Sequence, residues 1–428
     1  MITRIEAYNY RCFSTLAVDV DRYQVLAGSN GSGKSTLLDI PILLGDLLRA
    51  DRIADAFLRV TPQHATARAS SFAELRHRGL EEDLVFSIEA ELPQDIREVF
   101  LDASVARSRR PPPTHARYEV RLGVFNRGLE VNEEYLFLYP AEYPPERGVP
   151  LQGRSAGGRS RPASTWRRVL DRPDGRQTKL TAETTIRGPR LLFTIEPEQL
   201  ALASIPADSS QFPAARWVIE LLRQRAVFYD PNWDVLRRAA APGNPIELLP
   251  DARNAPWLAL ELSRTEPDRF RFWIDHVRTA LPQVTDIGVH ERDDDHFAYF
   301  SVGYTGGYRV TSSGLSDGTL RILALSLLPY LPAEALPTLM VTEEPENGIH
   351  PQAIETVVQS LSSVQDCQVW LSTHSPIVLS KTDLGDVLAA RIADDGAAEV
   401  VVGTKHPRLR DWRGSLDLGS LFASGVLS

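Results

Sequence analysis

A glycine-rich loop that carries one lysine and several hydroxyl groups is the clearest chemical feature of this 428-residue chain. In GSNGSGKST, residues 28–36, the spacing G-x-x-x-x-G-K-[ST] is met by Gly28, Gly33, Lys34 and Ser35. Such a loop curls so that backbone N–H groups and a helix start face phosphates. We therefore expect a nucleotide site in which Lys34 reaches the terminal phosphates and Ser35 ligates Mg²⁺. The other loop residues expected to contact the nucleotide are Asn30, Gly31 and Thr36.

A short apolar strand that ends in acidic residues is the second candidate. The run LMV precedes Glu343 and Glu344 in LMVTEEPE, residues 339–346. A buried strand would deliver two carboxylates to a sheet edge, one for the metal shell and the next for orienting or deprotonating an attacking water. We assign Glu343 to the metal and Glu344 to the role of catalytic base. Taken alone, the pattern also fits an acidic surface turn.

The segment LSDGT, residues 315–319, lies just before this acidic strand. Ser316 is placed as the N-cap of a helix. Its hydroxyl and the N–H groups near Gly318 would hold a terminal phosphate at the helix start. Most strings of this kind are only helix caps, so the order of the motifs is what favours a phosphate contact.

Two histidines follow the acidic pair. His374 comes directly after a predicted strand, where it would hydrogen-bond the departing phosphoryl group, so we place it with Lys34 and Glu344 as catalytic. His350, in NGIHP, has two interpretations: a site residue, or a residue that only shapes the turn.

These motifs need a sheet to bring them together, and the hydrophobic pattern predicts one. Strand patterns cover 2–10, 16–20, 25–27 and 83–92, with a helix over 33–48. Beyond Gly314 the predicted order is helix 318–328, strand 338–342, helix 352–361, strand 368–372, and strands near 387–392 and 399–402. This alternation predicts an α/β fold whose ligands lie at the carboxyl ends of parallel strands.

Composition shifts divide the chain into four predicted segments. Within 93–224, Pro and Gly clusters loosen the hydrophobic pattern, although 118–124 and 135–139 resemble short strands. The segments are 1–92, the first part of a nucleotide-binding head; 93–224, a partly irregular and basic insertion; 225–405, the second part of the head; and 406–428, an apolar tail expected to pack on its own head or on a partner.

Overall composition is that of a globular protein, with 43% hydrophobic and 24% charged residues. Cys12 and Cys367 stand far apart, which fits a reducing cytoplasm. The start lacks a signal-peptide pattern, and no apolar run is long enough to span a bilayer. A net charge of −9 argues against indiscriminate nucleic-acid binding. Yet Arg147 to Arg190 holds eleven Lys or Arg against three acidic residues, which fits either a nucleic-acid contact or a solvated loop.

The motif set resembles the ATP-binding-cassette (ABC) ATPases of the SMC, RecF and OLD-like branch. The resemblance rests on NYRCF at 9–13, GSNGSGKST, LSDGT, EEPENGIHP at 343–351 and STHSP at 372–376. It implies a P-loop ABC-ATPase head with a mixed or parallel sheet, an antiparallel β lobe and a helical or irregular insertion. It also implies a homodimer that sandwiches ATP and Mg²⁺ between each glycine loop and the partner's LSDGT. Arg11 becomes a candidate nucleotide contact.

Two departures from the family pattern matter. The usual metal-side aspartate is Glu343 here, which OLD-like members tolerate. OLD-like nucleases also carry a TOPRIM domain, and only 54 residues follow His374. We therefore expect an ATPase whose effector, a nuclease or toxin, is a separate protein, with DNA repair or antiviral defence as the setting.

Two alternative functions stay open. The first is the ATP-binding subunit of a membrane transporter, against which stand the roughly 280 residues between the glycine loop and LSDGT and the EEPE-x-x-x-HP string. The second is an ATP-switched scaffold that sequesters a toxin or another effector.

Overall fold

The computed structural model describes residues 1–62, 66–101, 111–125, 128–150, 165–184, 190–207, 210–409 and 417–425. The chain forms two compact units. The first comprises Met1–Asp21, Asn30–Ala226 and Ala390–Val401, and the second comprises Arg22–Ser29, Val227–Ala389 and Val402–Ser428. The predicted insertion 93–224 thus belongs to the same unit as most of segment 1–92.

Runs of consecutive strands are separated by helices along the described chain. The strands are β1 Ile2–Tyr10, β2 Phe13–Asp19, β3 Tyr23–Gly28, β4 Leu84–Glu91, β5 His115–Phe125, β6 Gly128–Tyr139, β7 Arg167–Arg172, β8 Gln177–Thr181, β9 Arg190–Thr194, β10 Ala226–Phe228, β11 Val284–Glu291, β12 Ala298–Tyr304, β13 Tyr308–Thr311, β14 Leu339–Glu343, β15 Gln368–Thr373, β16 Val387–Ile392 and β17 Ala398–Val402. The helices are α1 Lys34–Arg49, α2 Asp55–Leu58, α3 Gln94–Leu101, α4 Pro213–Arg223, α5 Trp233–Leu236, α6 Ala255–Thr265, α7 Pro267–Ala280, α8 Asp317–Leu327, α9 Pro351–Ser362, α10 Pro376–Ser380 and α11 Leu418–Ala423.

The first unit is built on an eight-stranded antiparallel sheet. Its strand order is β2-β1-β4-β5-β6-β7-β8-β9, with antiparallel pairing throughout. The strands predicted at 118–124 and 135–139 are confirmed as parts of β5 and β6. The described part of segment 93–224 is therefore more regular than its composition predicts.

Buried charges explain that difference. Arg117 on β5 is fully buried and pairs with Glu6 at 2.8 Å, Glu89 at 2.6 Å and Glu119 at 2.7 Å. These side chains lie within the sheet at positions where an apolar residue would normally mark a strand. Because charged residues occupy the inward positions, the alternation of apolar and polar residues is lost from the sequence.

Helix α1 also belongs to the first unit and packs closely on α4. A Cβ at Gly45 would lie 2.1 Å from the carbonyl oxygen of Leu222, so the two helices meet at a glycine. Nearly every residue of α1 from Leu37 to Leu48 is buried. The helix that follows the glycine loop is thus a core element, fixed on the side that packs against α4.

The second unit contains most of a six-stranded sheet of order β10-β14-β15-β3-β16-β17. Strands β14, β15 and β3 are parallel neighbours. Their carboxyl ends therefore meet at one edge, the usual ligand edge of such a sheet. The predicted elements from 318 to 402 are confirmed, with boundaries shifted by at most one residue.

The core of the second unit lies among its helices, the sheet and a small antiparallel sheet, β11-β12-β13. Trp273 is fully buried in this core, and its indole N–H donates to Ser326 Oγ at 2.9 Å. Leu418 and Leu421 of the tail helix α11 are buried in the same core, as expected of a tail that packs on its own head. The tail residues Trp412, Leu416, Val426 and Leu427 lie outside the described residues.

Among the residues that the structure describes, no helix combines the length and apolar character needed to cross a bilayer.

Candidate functional site

The glycine loop leaves a buried strand and enters a helix, as a phosphate cradle requires. All of β3 is buried, and α1 begins at Lys34. Gly33 adopts a left-handed conformation with φ of +94°, and a Cβ there would lie 2.6 Å from Phe13 Cζ and 2.9 Å from Cys12 Sγ. Only glycine fits that position. The first N–H groups of a helix have no acceptor within it, so the loop can offer them to an anion.

The remaining loop residues differ in exposure. The Lys34 side chain is buried, whereas Asn30, Gly31 and Ser35 are exposed and Thr36 is half-buried. The Cys12 thiol hydrogen-bonds Thr36, and burial raises the pKa of that thiol. The N-terminal turn of α1 therefore contacts the β1–β2 turn through Thr36, while Ser35 is exposed to solvent.

The acidic pair ends strand β14. Residues Leu339 to Thr342 are buried, Glu343 is exposed and Glu344 is half-buried. Glu344 has φ of +43°, a left-handed conformation that costs a side-chain-bearing residue about 1–3 kcal/mol. Its N–H donates to the Ser372 carbonyl at 2.8 Å, which fixes the turn against β15. Strain of this kind is concentrated at functional sites.

The pairing of strands places three predicted motifs side by side. Glu343 on β14 pairs with Ser372 on β15, and Thr373 pairs with Ala27 on β3. Along the sequence, Glu344 follows Glu343, His374 follows Thr373 and Gly28 follows Ala27. One edge of the sheet in the second unit thus carries the start of the glycine loop, the acidic pair and the histidine.

His374 faces Glu344 across this edge. Its Nε2 lies 3.8 Å from Glu344 Oε1, and both side chains are about one-third exposed, at 34% and 38%. The distance allows an ion pair when the imidazole is protonated, and a small movement or a water would complete a hydrogen bond. The two side chains for which the sequence predicts the roles of base and phosphate contact therefore lie within reach of each other.

A buried carboxyl group supports His374 from behind. The Thr373 hydroxyl donates to Glu346 Oε1 and accepts from the Ser375 N–H at 2.9 Å. Burial, and then the nearby Glu344, raise the pKa of Glu346. The other oxygen of Glu346 is buried without a hydrogen-bond partner. Glu346 thus ties the turn after the acidic pair to the residues flanking His374.

The LSDGT loop begins α8, as predicted. The Ser316 hydroxyl accepts from the Thr319 N–H at 3.2 Å, which makes Ser316 the N-cap. A Cβ at Gly318 would lie 2.9 Å from the carbonyl oxygen of Gly348. Gly318 therefore packs directly on the turn that follows the acidic pair, while Ser316 and Asp317 stay exposed.

Arg11 lies in the turn between β1 and β2, with φ of +50°. Its guanidinium donates to the carbonyl oxygen of Arg68. The Arg68 side chain, only 3% exposed, pairs with Asp39 and Asp46 of α1, each at 2.8 Å. Arg11 is therefore connected through Arg68 to the helix that follows the glycine loop, and its role as a nucleotide contact stays a prediction.

His350 has a local role in this structure. It is the N-cap of α9, and its Nδ1 accepts from the Gln352 N–H at 3.3 Å. This geometry supports the interpretation in which His350 shapes the turn after the acidic pair.

The basic segment from Arg147 to Arg190 uses much of its charge inside the first unit. Four of its described basic residues have protein partners: Arg147 with Asp19 at 2.9 Å, Arg167 with the Glu183 carbonyl at 3.1 Å, Arg168 with Asp171 at 2.8 Å, and Arg172 with Glu134 at 3.4 Å. Arg176, Lys179 and Arg190 are the other described basic residues of the segment, and Arg154, Arg159, Arg161 and Arg187 lie outside the described residues. The described part thus offers less positive charge to a phosphate backbone than the sequence suggests.

The supporting residues were not predicted from the motifs. Arg68, Glu346 and Arg237, which donates to the LSDGT loop, act through partners on other elements. Their side-chain partners lie from 22 to 80 residues away along the chain. Of the three, only Glu346 lies inside a motif identified in the sequence. It is the third acidic residue of that motif, after Glu343 and Glu344, and this is the signal that could have revealed it.

The donor atoms suit ATP and Mg²⁺. The exposed Ser35 hydroxyl and the exposed Glu343 carboxylate are oxygen donors of the kind that Mg²⁺ prefers. A bound Mg²⁺ would neutralise charge that develops on the phosphates. Gly31 and Gly33 have φ of +78° and +94°, so the loop has the left-handed backbone that a phosphate-binding curl requires.

A comparison with protein families identifies the group to which the chain belongs. The family described as "AAA domain, putative AbiEii toxin, Type IV TA system" matches residues 25–380. The chain belongs to this family. The AAA domain named by this family agrees with the P-loop ATPase class that the motif set predicts. No curated protein matches the sequence.

Solved structures give the fold. An SMC head bound to the C-winged helix domain of ScpA has a TM-score of 0.50 and 13% identity, covering 94% of this chain and 97% of that chain. An SMC head with an extended coiled coil, bound to the C-terminal domain of ScpA from Pyrococcus furiosus, has a TM-score of 0.49 and 11% identity, covering 94% and 95%. At such identities the first likeness shows the fold alone: the AAA-family chain has the α/β fold of an ABC-type SMC head.

Proposed function

We propose that this chain is an ATPase that hydrolyses ATP to ADP and phosphate in a homodimer, with each nucleotide held between the glycine loop of one chain and the LSDGT loop of the other. The observation that carries the proposal is the row of strand ends. Gly28 ends β3, Glu344 follows β14 and His374 follows β15, and these three parallel strands are neighbours at one sheet edge.

The chemistry follows from the side chains at that edge. Glu344 orients or deprotonates the attacking water, and the left-handed backbone turns its carboxylate towards His374. His374 hydrogen-bonds the departing phosphoryl group. Lys34 would neutralise charge on the terminal phosphates, and Ser35 and Glu343 would hold Mg²⁺. Arg11, Asn30, Gly31, Gly33, Thr36, Ser316 and Gly318 complete the expected nucleotide contacts.

Glu344→Gln tests the assignment of the base. The amide keeps the shape of the side chain but cannot accept a proton from water, so turnover should fall at least about a hundredfold. ATP binding should persist, and the variant should accumulate as an ATP-bound dimer because hydrolysis no longer separates the chains.

Steady-state phosphate release and sedimentation velocity with ATP and Mg²⁺ would measure both effects. Glu355→Gln is the matched control, since Glu355 lies on α9 and pairs with Lys381 at 2.8 Å away from the strand ends. Parental turnover in Glu344→Gln would refute the role given to Glu344.

The biological setting is a further part of the proposal. The family description names a toxin of a toxin–antitoxin system, which supports a defence setting in which ATP-driven dimerisation controls a separate effector such as a nuclease. The purified chain alone should then leave DNA and RNA intact in the presence of ATP and Mg²⁺. Cleavage that follows the chain through purification and is lost with Glu344→Gln would contradict a separate nuclease.

A further inference from the structure

A segment upstream of the LSDGT loop, residues 229–240, holds that loop in place. We propose that Arg237 in this segment is a positioning residue, which sets the LSDGT loop for its contact with the nucleotide of the other chain. The inference rests on the proposed function, because Ser316 meets that nucleotide only when two chains face each other.

Arg237 makes a two-pronged contact with the loop. Its Nη1 donates to the Leu315 carbonyl at 3.0 Å, and its Nη2 donates to Asp317 Oδ1 at 2.6 Å. The two acceptors flank Ser316 on either side. A planar guanidinium that binds both neighbours fixes the backbone around Ser316, and a lysine could not reproduce that geometry with a single ammonium group.

The segment that carries Arg237 is itself anchored at both ends. At one end the Tyr229 N–H donates to the Val341 carbonyl of β14 at 2.7 Å, and at the other Ala240 exchanges two backbone hydrogen bonds with Ala298 of β12, at 2.7 and 2.9 Å. Asn232 caps the short helix between them, accepting from the Val235 N–H at 3.1 Å. Arg237 therefore reaches the LSDGT loop from a support tied to two sheets.

A second contact from the same segment reaches the first turns of α8. The guanidinium carbon of Arg321 lies 4.3 Å from the centre of the Trp233 ring, a cation–π distance. Trp233 and Arg237 are four residues apart, so one face of the segment contacts both the LSDGT loop and the helix that the loop begins. Loop and helix are thus held as one piece.

The positive charge of Arg237 is a second way in which this residue would support the contact between two ATP-bound chains. Asp317 carries a carboxylate next to Ser316, and its side chain is 59% exposed. In the proposed dimer this negative charge would face a triphosphate, which it would repel. Arg237 neutralises Asp317 and draws its carboxylate aside. Removing Arg237 should therefore weaken the dimerisation of ATP-bound chains and leave the ATP affinity of the single chain nearly unchanged.

The experiment measures those two quantities separately in chains that also carry Glu344→Gln. Dimerisation with ATP and Mg²⁺ is followed by sedimentation velocity, and ATP binding at low chain concentration by the fluorescence of a labelled ATP analogue. With Arg237→Ala the dimer dissociation constant should rise roughly tenfold, while the analogue's affinity changes by less than about twofold. Arg238→Ala is the matched control, because Arg238 is the exposed neighbour on the same turn.

Two further variants separate the parts of the effect. Adding Asp317→Asn to Arg237→Ala removes the uncompensated charge and should recover part of the lost dimerisation, a rescue that a general folding defect would not show. Arg237→Lys should lie between the parent and Arg237→Ala and serves if the alanine variant is unstable.

The outcomes distinguish this inference from the function beneath it. Equal dimerisation of the Arg237→Ala and Arg238→Ala chains, or an equal loss of ATP affinity and dimerisation in Arg237→Ala, would overturn the inference alone. Failure of the Glu344→Gln chain itself to dimerise with ATP would defeat the proposed function and the inference with it.

Discussion

The Thr373 hydroxyl connects two turns of the candidate site. It donates to the buried Glu346 carboxyl and accepts from the Ser375 N–H, so it lies between the turn after the acidic pair and the residues that flank His374. Glu346 is 93% buried by area, since only 7% of it is exposed, and one of its oxygens already lacks a partner. The Thr373 hydroxyl is the side-chain donor to this carboxyl.

Thr373→Val should therefore cost stability and turnover together. Removing the donor leaves a buried carboxyl unsatisfied, which should lower the free energy of unfolding by about 1–3 kcal/mol. Under the proposed function, kcat should also fall roughly tenfold with little change in ATP affinity, because His374 loses its support. Urea unfolding and phosphate-release kinetics would measure the two effects.

Thr373→Ser is the matched control for this prediction, since it keeps the hydroxyl and loses only a methyl group. We expect it to stay close to the parent in both measurements. A valine variant as active and stable as the serine variant would show that the link through Glu346 is unimportant.

The sequence identifies the site residues whose role follows from their neighbours along the chain. Gly33, Glu343 and Ser316 stand next to a strand or helix end, so spacing alone places them, and the structure puts each at the predicted boundary. Arg68 and Arg237 could not be found in this way. Each is an ordinary arginine in sequence, and its importance comes from partners that only folding brings near.

Helix α4 links the stability of the first unit to the helix that follows the glycine loop. Its N-terminus is held by Glu183, whose carboxyl accepts from the Ala214 N–H at 2.7 Å and the Ala215 N–H at 2.9 Å. Burial raises the pKa of Glu183 to about 8, more than these two donors lower it. Since α4 packs on α1 at Gly45, a change that destabilises α4 would also weaken the packing of α1.

The raised pKa of Glu183 predicts a pH dependence with a definite sign. Between about pH 4.5 and pH 8 the folded chain binds a proton that the unfolded chain has released, so this group's contribution to stability is full below that window and is lost as pH rises through it. In Glu183→Gln the contribution no longer titrates. The free energy of unfolding of the variant, relative to the parent, should therefore rise by a few kcal/mol from pH 5 to pH 8, at about 1.4 kcal/mol per pKa unit.

Denaturant unfolding at several pH values would measure this difference. Glu220→Gln is the matched control, because Glu220 is exposed on the same helix. Parent and Glu183→Gln curves that run parallel across the pH window would contradict the assignment.

The elements themselves were predictable where the core is apolar. Strands β14 and β15 are almost wholly buried and read as apolar runs between helices, so their positions and parallel pairing follow from the pattern. The eight-stranded sheet was not recognised as one element. Arg117 and Glu119 on β5, and Glu134 on β6, are buried as charges, and the cost of burying them is met by pairing that no pattern in the sequence displays.

At the scale of the whole molecule, the exposure of the LSDGT loop bears on whether a single chain forms a complete site. The LSDGT loop packs its Gly318 on the turn after the acidic pair of the same chain, while Ser316 and Asp317 remain exposed. An exposed loop that ends in a helix N-terminus is suited to meet a phosphate from outside. In a twofold dimer each chain would then give its glycine loop to one site and its LSDGT loop to the other.

Mixing two inactive variants tests this arrangement directly. Lys34→Ala removes a phosphate contact from the glycine loop, and Ser316→Arg blocks the LSDGT loop, so each variant alone should be nearly inactive. A mixed dimer combines the intact glycine loop of the Ser316→Arg chain with the intact LSDGT loop of the Lys34→Ala chain. If chains exchange freely, an equal mixture should recover up to about a quarter of parental phosphate release, since half of the dimers are mixed and each has one working site.

The control is a mixture in which one chain carries both substitutions and the other is Lys34→Ala, because no pairing of those chains restores a complete site. It should stay inactive. A chain that hydrolyses ATP by itself would show no recovery in the first mixture, and Ser316→Arg alone would then retain most of its activity. Recovery in the first mixture alone therefore requires that one chain's Ser316 act on the nucleotide bound by the other's Lys34.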